Sequence, residues 1–230
     1  MLLIVVPVAA LWAQSDSLDY DARFAFTRIR YGSGWGRGGA SWAHDYPRAD
    51  EHLPRIIAEL STMTPHVDGT NVYDLEDIGI FHNPVIYISE PGFWSVTEAG
   101  AANLRAHLLK GGFLIFDDFE GEAQWDNMAR QMKQVLPDHR FIEIDITHPI
   151  FHSFFEMKRI DFPHPVVNVI PSYFAIFENN DPRRRIMALA NYNNDLAEYW
   201  EWSATGMFPV DNTNEAYKLG VNYIIYAMTH

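Results

Sequence analysis

The stretch VIYISEPGFWSVTEAGAANLRAHLLKGGFLIFDD, residues 85–118, holds a complete strand–helix–strand unit. Its two ends, 84–89 and 113–117, are short runs rich in Val, Ile, Leu, Phe and Tyr, without polar alternation. That is the composition of strands covered on both faces. Between them, Ser95 and Glu98 have the spacing of a capping box. The helix it opens runs to about Lys110, where Gly111-Gly112 supplies a C-terminal stop. The unit therefore predicts two neighbouring parallel strands joined by a right-handed crossover.

The same alternation extends in both directions. Upstream, FAFTRIRY (24–31) is aromatic and β-branched, as a strand is. A helix follows from near Asp45 or Pro47, with Leu53, Ile56, Ile57 and Leu60 at helical spacing and Pro54 marking a kink or a later first turn. Downstream, Trp125, Met128, Met132 and Val135 mark another helix. RFIEID (140–145) and RIMALAN (185–191) are strand candidates, and AYKLGVNYIIYAM (216–228) is a closing helix. The pattern is α/β, a mainly parallel sheet with helices on both faces. Residues 23–230 read as one domain.

Composition narrows the function. The chain has 230 residues, 17 basic and 30 acidic, with a formal net charge of −13. Nucleic acid is excluded as a partner, because phosphate backbones call for clustered Lys and Arg. The one basic run, Arg183–Arg185, reads as a solvated turn. Residues 1–14 form an apolar run too short to cross a bilayer, which takes ~20 residues. It has signal-peptide length, although no Lys or Arg precedes it. With cleavage after Ala13 the chain is expected to be periplasmic or extracellular, without a transmembrane span. Residues 15–22 then form an acidic tether. The absence of Cys excludes disulfides, thiolate ligands and a Cys nucleophile.

Gly34 to Gly39 spells G-x-G-x-x-G, yet a dinucleotide loop must open directly into a helix, and here ASWAHDYP (40–47) intervenes. The segment reads instead as a rim loop. Trp35, Trp42 and Tyr46 would give it an aromatic surface for a sugar polymer or another protein, with Trp42 equally suited to plug the end of the core.

In open α/β sheets ligands bind beyond the carboxyl ends of the strands. Four such exits carry chemistry: His44 and Asp45; Glu90 and Trp94; Asp117, Asp118, Glu120 and Glu122; and Asn193, Asn194, Asp195, Glu198 and Trp200. One sheet end should collect Asp117, Asp118, Glu90, His44 and Asp195. The Asp117-Asp118 pair has three readings. With Glu120 it offers oxygen ligands to Mg or Ca. One carboxyl with a raised pKa would serve as a general acid. The pair would also cap the following helix. His148 and His152 stand four apart, but Pro149 breaks the metalloprotease pattern and favours capping or packing. No Gly-x-Ser-x-Gly occurs.

Together, DYPRAD (45–50), the 85–118 stretch, THPIFHSFF (147–155), NNDLAEYWEW (193–202) and the closing AYKLGVNYIIYAM resemble a bacterial domain-of-unknown-function family of the ThuA-like, class I glutamine amidotransferase-like superfamily. The resemblance implies a flavodoxin-like three-layer sandwich. True amidotransferases of that fold carry a Cys just after the strand matching FLIFDD; here Asp117, Asp118 and Phe119 occupy the junction, so cysteine-dependent glutaminase chemistry does not carry over. His148–Ile150 matches an HPI segment that belongs to the fold of ThuA-like proteins. Related domains in envelope proteins imply binding.

Two functional expectations follow. The first is an exported, non-catalytic binding or accessory domain, docking onto an envelope protein or a sugar polymer through Trp35, Arg37, Trp42, His44, Asp45, Glu90, Trp94, Asn194, Asp195 and Trp200, with no cofactor beyond a divalent cation. The alternative is a carboxylate- or metal-assisted hydrolase of a carbohydrate-type substrate, with Asp117 or Asp118 as the catalytic carboxylate.

Overall fold

The computed structural model describes residues 17–32 and 41–230. They form one seven-stranded sheet of β1 (Thr27–Arg30), β2 (Asn71–Asp74), β3 (Val85–Ser89), β4 (Phe113–Phe119), β5 (Ile142–Ile144), β6 (Ser172–Phe177) and β7 (Ile186–Tyr192). The α-helices are α1 (Arg48–Leu60), α2 (Glu98–Leu109), α3 (Gly121–Val135), α4 (Leu196–Glu201) and α5 (Val210–Thr229). The strand order is β2-β1-β3-β4-β7-β6-β5. The first five in that order are parallel, and β6 runs against its neighbours β7 and β5.

The central pair is as the 85–118 stretch predicts. β3 and β4 are parallel neighbours, with Val85 opposite Phe113 and Ser89 opposite Asp117. Their unbroken apolar composition has a direct cause. Val85 and Tyr87 pack into one core with Leu53 of α1, Trp200 of α4 and Leu219 of α5. Ile86 and Ile88 point the other way, into a second core with Leu104 of α2 and Met128 of α3. Successive side chains of a strand face opposite sides, so each must be apolar when helices cover both.

Several local expectations are corrected. The cap of α2 is Thr97, whose hydroxyl accepts from the Gly100 N–H, while Ser95 donates to the Gly32 carbonyl. The helix starts at Glu98, which leaves Ser95 too far upstream to reach its free N–H groups. Pro54 lies inside α1 and is buried without ending the helix. The strands β2 and β6 have no counterpart in the sequence reading: β2 is a four-residue edge strand, too short for periodicity, and β6 follows a long irregular segment. Arg183 pairs with Asp181 in an exposed turn, whereas Arg185 donates to the Leu108 and Gly112 carbonyls and so closes the C-terminal end of α2.

Gly111, at φ +114°, ends α2 in a conformation that favours glycine. Gly112 is needed for space, since a Cβ there would lie 2.2 Å from the His107 ring. His148 caps a short turn by accepting from the Ile150 N–H. Among the described residues no helix is long and apolar enough to cross a membrane. The proposed signal peptide and the glycine-rich stretch from Gly34 to Gly39 lie outside the described residues.

Candidate functional site

Parallel strands direct their carboxyl ends to the same edge of a sheet. The exits of β1, β3, β4 and β7, adjacent in the order above, thus bring their loops together. The first exit is fixed by a buried cation. Arg28, in the middle of β1, is fully buried and meets Asp50 of α1 through Nε at 2.9 Å and Nη2 at 2.5 Å. Its Nη1 donates to the carbonyls of Trp42 and His44 at 2.9 and 2.8 Å. A guanidinium presents its donors in a rigid fork, so this one residue ties β1, α1 and the turn carrying His44 and Asp45 into a single arrangement. Asp45 itself has φ +62°, a region that Asp and Asn visit more readily than most residues.

At the β4 exit, Asp117 and Asp118 serve different ends. Asp117 is fully buried and saturated. It accepts from Tyr87 Oη at 2.9 Å, from Asn191 Nδ2 at 3.0 Å, and from the Leu196 and Ala197 N–H groups at 2.9 and 3.2 Å. It thus caps α4, not the helix that follows it in sequence, and it stands outside the converging ligand groups. Burial raises its carboxyl to about 6, against the hydrogen bonds from Asn191 and Tyr87. Asp118, at φ +61°, turns its carboxylate toward the sheet end. There it accepts from Ser89 Oγ at 3.3 Å and meets His44 Nδ1 at 2.7 Å.

Four residues converge. Ligand-type atoms of His44, Asp45, Asp118 and Asp195 all lie within 4.8 Å of one another. Asp195 is the N-cap of α4, accepting from the Glu198 N–H at 3.0 Å. Asp45 is 4% exposed, and neither of its carboxylate oxygens has a hydrogen-bond partner among the described residues. The protonation of the group reflects this crowding. The hydrogen bond to Asp118 holds His44 up at about 9. Burial, and then the Asp118 charge, push Asp45 up to about 9. Burial, Asp118, Asp45 and Asp117 hold Asp195 well above the usual carboxylate range. One imidazole and three carboxyl groups this close could hold a divalent ion, and an imidazole among them would suit Mn or Zn better than the Mg or Ca expected from oxygen ligands alone.

The other expected site residues are placed as follows. Glu90, at the β3 exit, contributes to the field at His44, and its carbonyl accepts from Tyr31 Oη at 2.8 Å. Glu120 is turned away, bonded through Oε1 to Gln124. Of the set Asp117, Asp118 and Glu120, only Asp118 joins the cluster. Asn194 is structural, bridging Tyr173 Oη and the Asp195 N–H. Trp94 and Trp200, expected as binding surfaces, are each 1% exposed. Trp94 packs 5.5 Å from Phe116, and the Trp200 ring lies over Gly220, where a Cβ would approach it to 2.7 Å. Trp94 follows a short turn after β3 and Trp200 stands on the inward side of α4, so each ring closes one of the two cores. Trp42 is half-buried beside Tyr46. Trp35 and Arg37 lie outside the described residues.

Sequence reasoning missed Arg28: the same strand carries Arg30, which is partly exposed and pairs with Asp74, and nothing local tells the buried arginine from it. It also missed His164. There Nδ1 accepts from the Val166 and Val167 N–H groups, which leaves the proton on Nε2, buried without a partner among the described residues. Burial lowers its pKa against the charge of Asp118.

A family model described as Domain of unknown function (DUF4159) matches residues 25–228. No curated protein matches the chain.

Proposed function

The chain belongs to the DUF4159 family, and we propose that it holds a divalent cation at His44, Asp45, Asp118 and Asp195 and uses it in metal-assisted hydrolysis. One observation carries this reading: Asp45 buries a carboxylate with no hydrogen-bond partner among the described residues, within 4.8 Å of three further ligand residues. A buried carboxyl without a hydrogen-bond partner is costly, and a dication that displaces its proton would supply the partner and relieve the repulsion among the three acids. Such an ion lowers the pKa of bound water and polarises a carbonyl or phosphoryl oxygen. His44, with its side chain 48% exposed, lies on the solvent side of the group, where a substrate enters.

The parallel strands in the order β2-β1-β3-β4-β7 follow the flavodoxin-type 2-1-3-4-5 winding, whose ligands bind at this sheet end. That supports a place beside the ThuA-like and amidotransferase-like folds, with carboxylates and a histidine at the sheet end where true amidotransferases carry a cysteine. The docking reading through aromatic loops is weaker, since Trp94 and Trp200 belong to the cores. Export through residues 1–14 is part of the proposal; finding the unprocessed chain in the cytosolic fraction would remove it.

Calorimetric titration of the purified chain with MnCl2 or ZnCl2 tests the site. Saturable binding that disappears in Asp118→Asn is expected. No heat at millimolar metal would overturn it. Hydrolysis of chromogenic glycosides, esters and phosphoesters by the metal-loaded protein, lost in the same variant, tests the reaction class.

A further inference from the structure

Asp45 belongs to two groups of ligand atoms. In the first it meets His44, Asp118 and Asp195; in the second its carboxylate lies within 4.8 Å of ligand oxygens of Glu198 and Glu201, which are likewise within 4.8 Å of each other. One short helix organises both groups. Asp195 caps α4, Glu198 stands in its first turn and Glu201 is its last residue. Steps of three residues keep them on one side of a helix, and that side faces Asp45. Asp45 is 4% exposed, and both of its oxygens lack a hydrogen-bond partner among the described residues. A bridging carboxylate satisfies both.

The geometry points to a two-cation centre in which Asp45 bridges a first ion, bound with His44, Asp118 and Asp195, and a second, bound with Glu198 and Glu201. This rests on the one-ion reading above and adds a site to it. Charge favours the pair. The two groups hold five carboxyl groups between them, more than one dication neutralises once metal displaces their protons. Two dications together with the Arg48 guanidinium, 3.6 Å from Glu201, balance them. Glu201 is partly exposed, which gives the second ion a route in from solvent. Ions about 3.5–4 Å apart, as carboxylate-bridged pairs are, clamp both the attacking and the leaving oxygen of a displacement, so the pair directs the hydrolase reading toward ester and phosphoester substrates.

Manganese, alone as the probe, separates the outcomes. Titration of the full chain with MnCl2 should reach two ions per chain, and the saturated protein should give an exchange-coupled electron paramagnetic resonance spectrum. Combining Glu198→Gln with Glu201→Gln should reduce uptake to one ion and replace the coupled spectrum by that of an isolated ion. One ion per chain in the unsubstituted protein, removed by Asp118→Asn, would overturn the bridge and leave the one-ion site standing. No uptake at all would overturn both. The stoichiometry and the coupling are read on the unsubstituted chain, so the test does not depend on the double variant folding.

Discussion

His44 Nδ1 and Asp118 Oδ2, 74 residues apart in the chain, meet at 2.7 Å. The first belongs to the loop after β1 and the second to the end of β4, two strands that do not touch. β3 lies between them, and its Ser89 hydroxyl donates to the same Asp118 oxygen. The contact therefore depends on three strands holding their register, and it marks the centre of the candidate site.

Asp45→Asn is expected to stabilise the protein while abolishing ion binding. Asn keeps the shape, tolerates positive φ, and gives the surrounding carboxylates an N–H donor in place of a third acid. Relief of a buried unsatisfied group amounts to about 1–3 kcal/mol, read as a melting temperature several degrees higher. A lower melting temperature without metal would show that Asp45 serves the fold. The trade of stability for function is the usual signature of a site under selection for activity.

Arg28→Met should destabilise strongly. It leaves Asp50 fully buried and stripped of its guanidinium, and breaking one half of a buried pair costs about 3–5 kcal/mol. The turn at Trp42 and His44 loses its two hydrogen bonds as well. Denaturant unfolding gives the first effect. Faster proteolysis near residue 44 in the folded variant gives the second.

Trp94→Ala should cost about 3–5 kcal/mol, as a large buried ring does when cut to a methyl group. The equilibrium unfolding midpoint checks it. A near-neutral result would return Trp94 to the surface and revive an aromatic docking face at the β3 exit.

Acid should weaken the fold through His107. Burial, with Arg185 adding to it, lowers its pKa to about 4, so the unfolded chain takes up the proton first. The stability tied to this group is complete above its ordinary value of 6.5 and is lost as pH falls toward 4. The full difference corresponds to roughly 3 kcal/mol. His148, lowered in the same way to about 4, adds to the slope. Melting temperatures between these limits should fall less steeply in His107→Phe, whose ring fits the space that Gly112 leaves. An unchanged slope would mean that His107 does not titrate.

The sequence by itself determined the parallel β3–α2–β4 unit, because strands buried on both faces and a helix closed by Gly111-Gly112 leave a local record in composition and spacing. It also determined that His44, Asp118 and Asp195 stand at strand exits, since strand ends and breakers are local features. What only the tertiary structure decided is which of two adjacent acids faces the site. Asp117 and Asp118 are neighbours with the same side chain, yet one is consumed in capping α4 and the other meets His44. That choice depends on the positive φ of Asp118 and on where β7 delivers α4, and neither is written in the residues around them. The same holds for Trp94 and Trp200. Composition shows that a strand exit carries a ring, but the direction the ring takes is set by the free energy of closing a core that other segments build. Asp45 is buried like the other acids at the sheet end, and what sets it apart, two oxygens without a hydrogen-bond partner among the described residues, depends on segments that only the fold brings around it.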